Sequence, residues 1–241
     1  VSNLKRLSLE LGGKSANIVF PDADQEAARK SAFWGVFGNK GEMCTAGSRL
    51  LVHEQIYADF VEDMAARARK LRVGNPLDPA SQMGTQISGR QMERILDYVD
   101  CGKREGARLL CGGERDTEAE KARGFYLKPA VFADVRPEMR IAREEIFGPV
   151  VSAIRFRDED EALRIANATV YGLAAAVWTR DVRLAHRMAA ELQAGTVWIN
   201  TYNSLDPGSP FGGCKQSGFG RDLGAEALEQ YTSVKSVWVG L

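Results

Sequence analysis

An α/β fold, with a largely parallel sheet covered by helices, is what the sequence predicts, and three observations predict it. Short apolar, β-branched runs alternate with amphipathic stretches of helical period along most of the chain. The hydrophobic share of 44% over 241 residues is enough for a substantial core. No repeat, low-complexity segment or linker divides the chain, so one main domain is expected.

The elements follow in order. Leu7-Ser8-Leu9 and Asn17-Ile18-Val19-Phe20 read as short strands bracketing the sharp Gly12-Gly13 turn, which leaves Glu10 at a strand end. Asp22 or Asp24 caps a helix from Gln25 to about Val36, in which Ala28, Ala32 and Phe33 recur at helical spacing. Gly38 and Gly41 stop it, and Cys44 opens the next local structure. Leu50-Leu51-Val52 is the next strand, followed by a helix around Phe60 to Leu71, a loop at Asn75 to Pro79, and a helix through Met92, Ile95, Leu96 and Val99. Strands at Val131-Phe132, Val150 to Phe156, Leu173 to Trp178 and Val197-Trp198-Ile199 alternate with helices near Asp160 to Ala168 and Asp181 to Leu192. Pro207 to Gly220 is a Gly- and Pro-rich loop, a helix follows near Ala225 to Tyr231, and Val234 to Val239 reads as a terminal strand able to pair with another subunit.

Charge and composition exclude several functions. Thirty-two basic residues balance thirty-two acidic ones, so no field of one sign draws the protein to nucleic acid or an anionic membrane. No apolar run approaches the roughly 20 residues that span a bilayer. The four cysteines, Cys44, Cys101, Cys111 and Cys214, read as reduced thiols of a cytoplasmic protein, since no signal-like segment precedes them. His53 and His186 lack partners at ligand spacing and Cys101 with Cys111 forms no metal pattern, so no metal is expected. Gly218-Phe219-Gly220 has Leu223 where a dinucleotide fingerprint needs its last glycine. Trp34, Trp178, Trp198 and Trp238 fall in helix or strand patterns and are read as packing residues.

Three segments carry candidate chemistry. Gly41-Glu42-Met43-Cys44-Thr45-Ala46-Gly47 sets a cysteine in a Gly-flanked turn after a helix, where the sulfur can face a cleft and main-chain N–H groups can meet an oxyanion; the bland alternative is a buried structural thiol. Leu9-Glu10-Leu11-Gly12-Gly13-Lys14-Ser15 places an acid just before a pair of glycines that permits close approach; the alternative is a surface glutamate. In Glu144-Glu145-Ile146-Phe147-Gly148-Pro149-Val150, an acid and an aromatic two positions apart on an extended segment would point the same way, suiting a ribose hydroxyl and a flat ring.

At these residues the sequence resembles the aldehyde dehydrogenase family. The glutamate motif matches residues 9–16, the cysteine motif 41–47, the Glu-Ile-Phe-Gly-Pro segment 145–149, and a late loop matches Ser209-Pro210-Phe211-Gly212-Gly213 with Lys215-Gln216-Ser217-Gly218. The resemblance implies a catalytic-domain fold in which Cys44 attacks an aldehyde and Glu10 activates the water that releases a carboxylic acid. It implies NAD or NADP as cofactor, with Glu145 on the nicotinamide ribose, Phe147 against the nicotinamide side, Gln91 and Arg94 at ribose contacts, and Leu11 and Gly12 of the glutamate motif on the cofactor side. Gly38, Leu205 and Phe211 fall on the substrate side, and the small Gly38 and non-aromatic Leu205 imply a wide entry for a bulky aldehyde. A water-activating glutamate argues against a coenzyme A-acylating relative. A non-catalytic assembly module acting through subunit contacts is the reading from a different class.

The resemblance further implies residues 1–13 as a remnant of the cofactor-binding domain, 14–233 as the catalytic domain and 234–241 as the oligomerisation strand of a dimer or tetramer. The chain starts at Val1-Ser2-Asn3 with a strand pattern already under way, as expected of a piece of a longer enzyme that by itself has little activity.

Overall fold

The structure is a computed structural model that describes residues 4–241, so the first three residues of the expected 1–13 segment lie outside the described residues. In chain order the elements are Leu9–Glu10 (β1), Ala16–Val19 (β2), Gln25–Phe37 (α1), Arg49–His53 (β3), Glu54–Lys70 (α2), Gly89–Arg104 (α3), Arg108–Cys111 (β4) and Ala130–Ala133 (β5). They continue with Arg140–Arg143 (α4), Val150–Phe156 (β6), Glu159–Asn167 (α5), Tyr171–Gly172 (β7), Ala174–Trp178 (β8), Val182–Glu191 (α6), Thr196–Ile199 (β9), Cys214–Lys215 (β10) and Gly218–Phe219 (β11).

Seven strands form one sheet in the order β4-β5-β6-β3-β2-β8-β9. Every pairing in it is parallel except β4 with β5, the antiparallel edge. The parallel majority follows from the helical crossovers, because two parallel neighbours cannot be joined by a tight turn. Side chains alternate across β2: Ala16 and Ile18 join the core packed with Ile95, Ile141, Ile165 and Met188, whereas Val19 joins the core packed with Ala32, Phe33, Phe60 and Met64. Helices α1 and α2 therefore cover one face, and α3 to α6 the other.

Local caps fix the helix starts. Asp24, not Asp22, caps α1 by accepting the Ala27 N–H at 3.1 Å, and Ser88, Asp158 and Asp181 cap α3, α5 and α6 in the same way. Asp22 instead accepts from Thr179 Oγ1 at 2.7 Å and from the Arg180 and Asp181 N–H groups, tying β2 to the end of β8.

Several expectations need correction. The first strand is Leu9–Glu10 rather than 7–9, and it pairs antiparallel with β11, outside the main sheet. The loop 207–220 contains β10 and β11, with β10 pairing β7. The segment after it is a 3-10 helix, Ala225–Gln230, not an α-helix. Residues 234–239 are exposed and pair with no strand among the described residues. Trp178 and Trp198 pack as expected, but Trp34 is 40% exposed and Trp238 93% exposed, since their positions turn away from both cores.

Candidate active site

The three candidate segments all lie where the chain enters parallel strands. Gly12-Gly13 leads into β2, residues 44–48 into β3, and residues 145–149 into β6. The site therefore gathers at the amino ends of adjacent strands, whereas in many open α/β sheets ligands bind at the carboxyl ends.

Reversal of the chain after α1 builds the cysteine turn. Asn39, Lys40 and Gly41 take φ of 45°, 54° and 75°, three successive left-handed residues. A Cβ on Gly41 would overlap the main chain of Gly148, so the cysteine loop and the 145–149 segment meet backbone to backbone. Buried Glu42 accepts the Ile87 N–H at 2.9 Å and pairs with Lys40 Nζ at 3.2 Å, and the Ala46 N–H closes the turn on the Met43 carbonyl. Among residues 41–48 Cys44 is the exposed one, its neighbours Thr45 to Ser48 being buried. Partial burial pushes its thiol above the usual cysteine range; the charges of Glu10 and Glu145 add to this, while the main-chain N–H of Thr45 opposes it.

Glu10 sits on β1 as expected. Its Oε1 accepts the Gly213 N–H at 3.2 Å, and a Cβ on Gly212 would lie 3.0 Å from the same oxygen, so the late Gly-Gly pair allows this approach. Burial raises the Glu10 pKa, Gly213 lowers it, Asp222 raises it and Arg221 lowers it. A carboxyl with a raised pKa is the better proton acceptor of its kind.

Glu145 accepts the Gly13 N–H at 3.1 Å, and a Cβ on Gly12 would collide with its carboxylate. Burial raises its pKa, opposed by the Gly13 N–H, Lys14 and Arg94. Phe147 is not on an extended segment: its φ is 57°, and this left-handed turn, rather than strand alternation, aims its half-exposed ring. Gln91 Nε2 donates to the carbonyls of Ile146 at 3.1 Å and Phe147 at 2.7 Å, and Arg94 Nη2 donates to the Glu145 carbonyl at 3.0 Å. Both side chains thus brace the segment that presents Glu145 and Phe147. One carboxylate with a single main-chain donor beside an exposed ring fits a nucleoside with a flat base.

On the other flank, a Cβ on Gly38 would meet nothing within 4 Å, Leu205 is exposed, and Phe211 is half-buried, its N–H and carbonyl both paired with Asp222 at 2.7 Å. Exposed Leu11 donates its N–H to the Ser217 carbonyl at 3.1 Å, and Ser217 Oγ donates to the Gly12 carbonyl at 2.7 Å, tying the glutamate segment to the late loop. Of the site residues expected from sequence, Gly12, Glu145, Phe147, Gln91 and Arg94 meet around the glycine pair, where Gly13 also lies against the Cys44 carbonyl, and Glu10, Leu11 and Phe211 gather at the late loop, whereas Gly38 and Leu205 join neither set.

The sequence matches the aldehyde dehydrogenase family over residues 1–237. The chain belongs to that family. It is 52% identical to an aldehyde dehydrogenase of Emericella nidulans over 98% of this chain and 47% of that protein. It is 51% identical to the mitochondrial aldehyde dehydrogenase of Sus scrofa, over 99% of this chain and 45% of that one. Among solved structures, the NAD+ complex of aldehyde dehydrogenase from Bacillus cereus superposes with a TM-score of 0.95 at 48% identity, covering 98% of this chain and 48% of that one. The chain spans about half the length of the curated relatives it matches.

Two features of the chain do not follow from the motifs. Lys14 is fully buried behind the glycine pair, its Nζ without a hydrogen-bond partner among the described residues, and burial lowers its pKa to about 7, with Arg49 adding to that and Glu145 and Glu144 opposing. Tyr202 and Asn203, after β9, reach the cysteine turn. Gly35 was the signal for them: a glycine inside a helix is disfavoured by about 1 kcal/mol against alanine unless something must come close. Among the described residues no group of three or more His, Cys, Asp or Glu lies close enough to hold a metal, and no helix is long and apolar enough to cross a membrane.

Proposed function

We propose that this chain carries the catalytic centre of an enzyme that oxidises an aldehyde to a carboxylic acid. The observation that carries the reading is convergence: the charges of Glu10 and Glu145 both act on the Cys44 thiol, and Gly13, whose N–H holds Glu145, packs against the Cys44 carbonyl. The Cys44 thiolate adds to the carbonyl carbon, and main-chain N–H groups of the turn face the oxygen as it gains charge. Loss of hydride from the adduct leaves an acyl thioester on Cys44, a good acyl donor because a thiolate leaves readily. Glu10 takes a proton from water, which attacks the thioester carbonyl, expels the Cys44 thiolate and frees the acid. Glu145 and Phe147, with Leu11 and Gly12 beside them, would hold NAD or NADP, which would supply the hydride acceptor; Gln91 and Arg94 brace that segment.

The open space at Gly38 and the exposed Leu205 support a bulky or aromatic aldehyde as substrate. Residues 234–241, exposed and unpaired in the described chain, are the strand that extends a partner's sheet in a dimer or tetramer, as residues 14–233 are the catalytic domain and the preceding residues lead in from the cofactor-binding one. Since the chain is about half the length of its relatives, the 241 residues alone form little NADH. The test is NADH formation by the longer enzyme with aryl and two-carbon aldehydes. Cys44→Ala should abolish it, and Glu10→Gln should lower turnover roughly 10²- to 10⁴-fold while leaving Cys44 acylated. Full activity in Cys44→Ala sinks the mechanism, and a clear preference for two-carbon aldehydes sinks the substrate class.

A further inference from the structure

The side chains that hold the nucleophile's neighbour come from a loop that no motif marked. Tyr202 Oη donates to the Thr45 carbonyl at 2.7 Å, and Thr45 Oγ1 donates to Asn203 Oδ1 at 2.8 Å. The Tyr202 ring is wedged between two glycines: a Cβ on Gly35 would lie 3.0 Å from the ring, and one on Gly47 would lie 2.9 Å from Oη. Those glycines are themselves joined, Gly47 N–H to Gly35 carbonyl, at 2.9 Å. Tyr202 therefore closes a three-way contact between α1, the cysteine turn and its own loop.

That loop is itself anchored. Asn200 Oδ1 accepts the Thr179 N–H at 3.0 Å and Asn200 Nδ2 donates to the Thr179 carbonyl at 2.8 Å, while Thr179 Oγ1 donates to Asp22. Trp198 Nε1 donates to the Ser204 carbonyl at 2.8 Å and its ring lies 4.9 Å from that of Tyr202. Asn200 and Asn203 take φ of 53° and 55°, a conformation asparagine tolerates better than most residues. The contacts thus run from β2 and β8 through 200–204 to Thr45.

We propose that Tyr202 and Asn203 are positioning residues for the Cys44 nucleophile, clamping Thr45 by its carbonyl and its hydroxyl and so fixing the turn from which the Cys44 sulfur projects. The inference rests on Cys44 being the reacting thiol. The Thr45 main-chain N–H works against the upward shift of the Cys44 thiol, so a turn released from the clamp weakens that effect, slows the thiol and moves its ionisation to higher pH. Burial drives the Tyr202 hydroxyl far above the usual tyrosine range, which keeps it a donor wherever Cys44 ionises.

The experiment is the pH profile of Cys44 alkylation by iodoacetamide in the 241-residue chain, followed by peptide mass spectrometry, with Cys101 of the same molecule as internal reference. Tyr202→Phe keeps the wedge and loses only the donor; Thr45→Val and Asn203→Ala cut the second bond. Each should slow Cys44 roughly 3- to 10-fold at neutral pH, the effect of losing one hydrogen bond, and displace the profile upward. Thr45→Ser should retain the wild-type rate, and the Thr45→Val/Asn203→Ala double variant should be no slower than the slower single. An unchanged profile in Tyr202→Phe and Asn203→Ala, or Cys101 slowing in parallel, overturns the clamp. Iodoacetamide needs neither aldehyde nor coenzyme, so shifted profiles alongside undiminished NADH formation in Cys44→Ala would sink the proposed function and leave the clamp standing.

Discussion

Cys44 and Glu10 are held in contrasting ways. The cysteine turn is tied down at four points: Gly41 against Gly148, Glu42 to the Ile87 N–H, Gly47 against Gly35, and Thr45 to Tyr202 and Asn203. Glu10 rides on a ribbon of two two-residue strands, β1 and β11, with Leu7, Leu9, Leu11 and Phe219 all exposed. Two-stranded ribbons are marginal by themselves. The difference teaches that the position of Cys44, the proposed nucleophile, is a property of the packed domain, whereas that of Glu10, the proposed base, depends on a short peripheral pairing and on the Gly212-Gly213 contact.

The largest expected effect lies on the cysteine side. Gly41→Ala combines a left-handed φ with overlap on the Gly148 backbone and should cost about 3 kcal/mol, read as a lowered denaturation midpoint at unchanged slope. A midpoint within error of wild type would mean that the turn is not locked as described.

Lys14 lies between the two regions and offers a test of opposite sign. Its folded pKa of about 7 is below the ordinary 10.5, so between those values the unfolded chain holds a proton that the folded chain lacks, and stability from this group rises with pH through that window. Lys14→Met should flatten that rise and stabilise the protein by about 2 kcal/mol at the acid end, as replacement of an unpaired buried charge does. Denaturation midpoints of both proteins across the window check it; destabilisation by the methionine at all pH values would show that the ammonium has a partner.

The smallest effect belongs to the ribbon. A Cβ on Gly218, whose φ is 119°, would collide with the Leu9 carbonyl. Gly218→Ala should cost under about 1 kcal/mol in global unfolding, because little of the core depends on β1, yet amide exchange at Leu9 and Glu10 should accelerate clearly. A loss as large as that of Gly41→Ala would erase the contrast between the regions.

Most elements were legible because their signals are local. The capping Asp24, the glycines after α1 and the apolar runs of β6, β8 and β9 each act within a few residues. Of the strands absent from or misplaced in the sequence reading, β1, β7, β10 and β11 are two residues long and exist only through partners far along the chain, and β4 is a short antiparallel edge defined by its pairing with β5. Gln91 and Arg94 lie beside the Glu145 to Phe147 segment, and their hydrogen bonds to its carbonyls follow from how α3 packs against that segment, which helical spacing does not carry.

By itself the sequence determined the α/β class, the cysteine turn, the strand-end glutamate and the family to which these motifs belong, since each is written in contiguous residues. Only the tertiary structure decided that the candidate residues gather at the amino ends of the strands, that Lys14 is buried, and that Tyr202 reaches Thr45 across a separation of 157 positions. The reason is physical: turn chemistry and periodicity are fixed by neighbouring residues, whereas which loops meet depends on the order in which strands join the sheet.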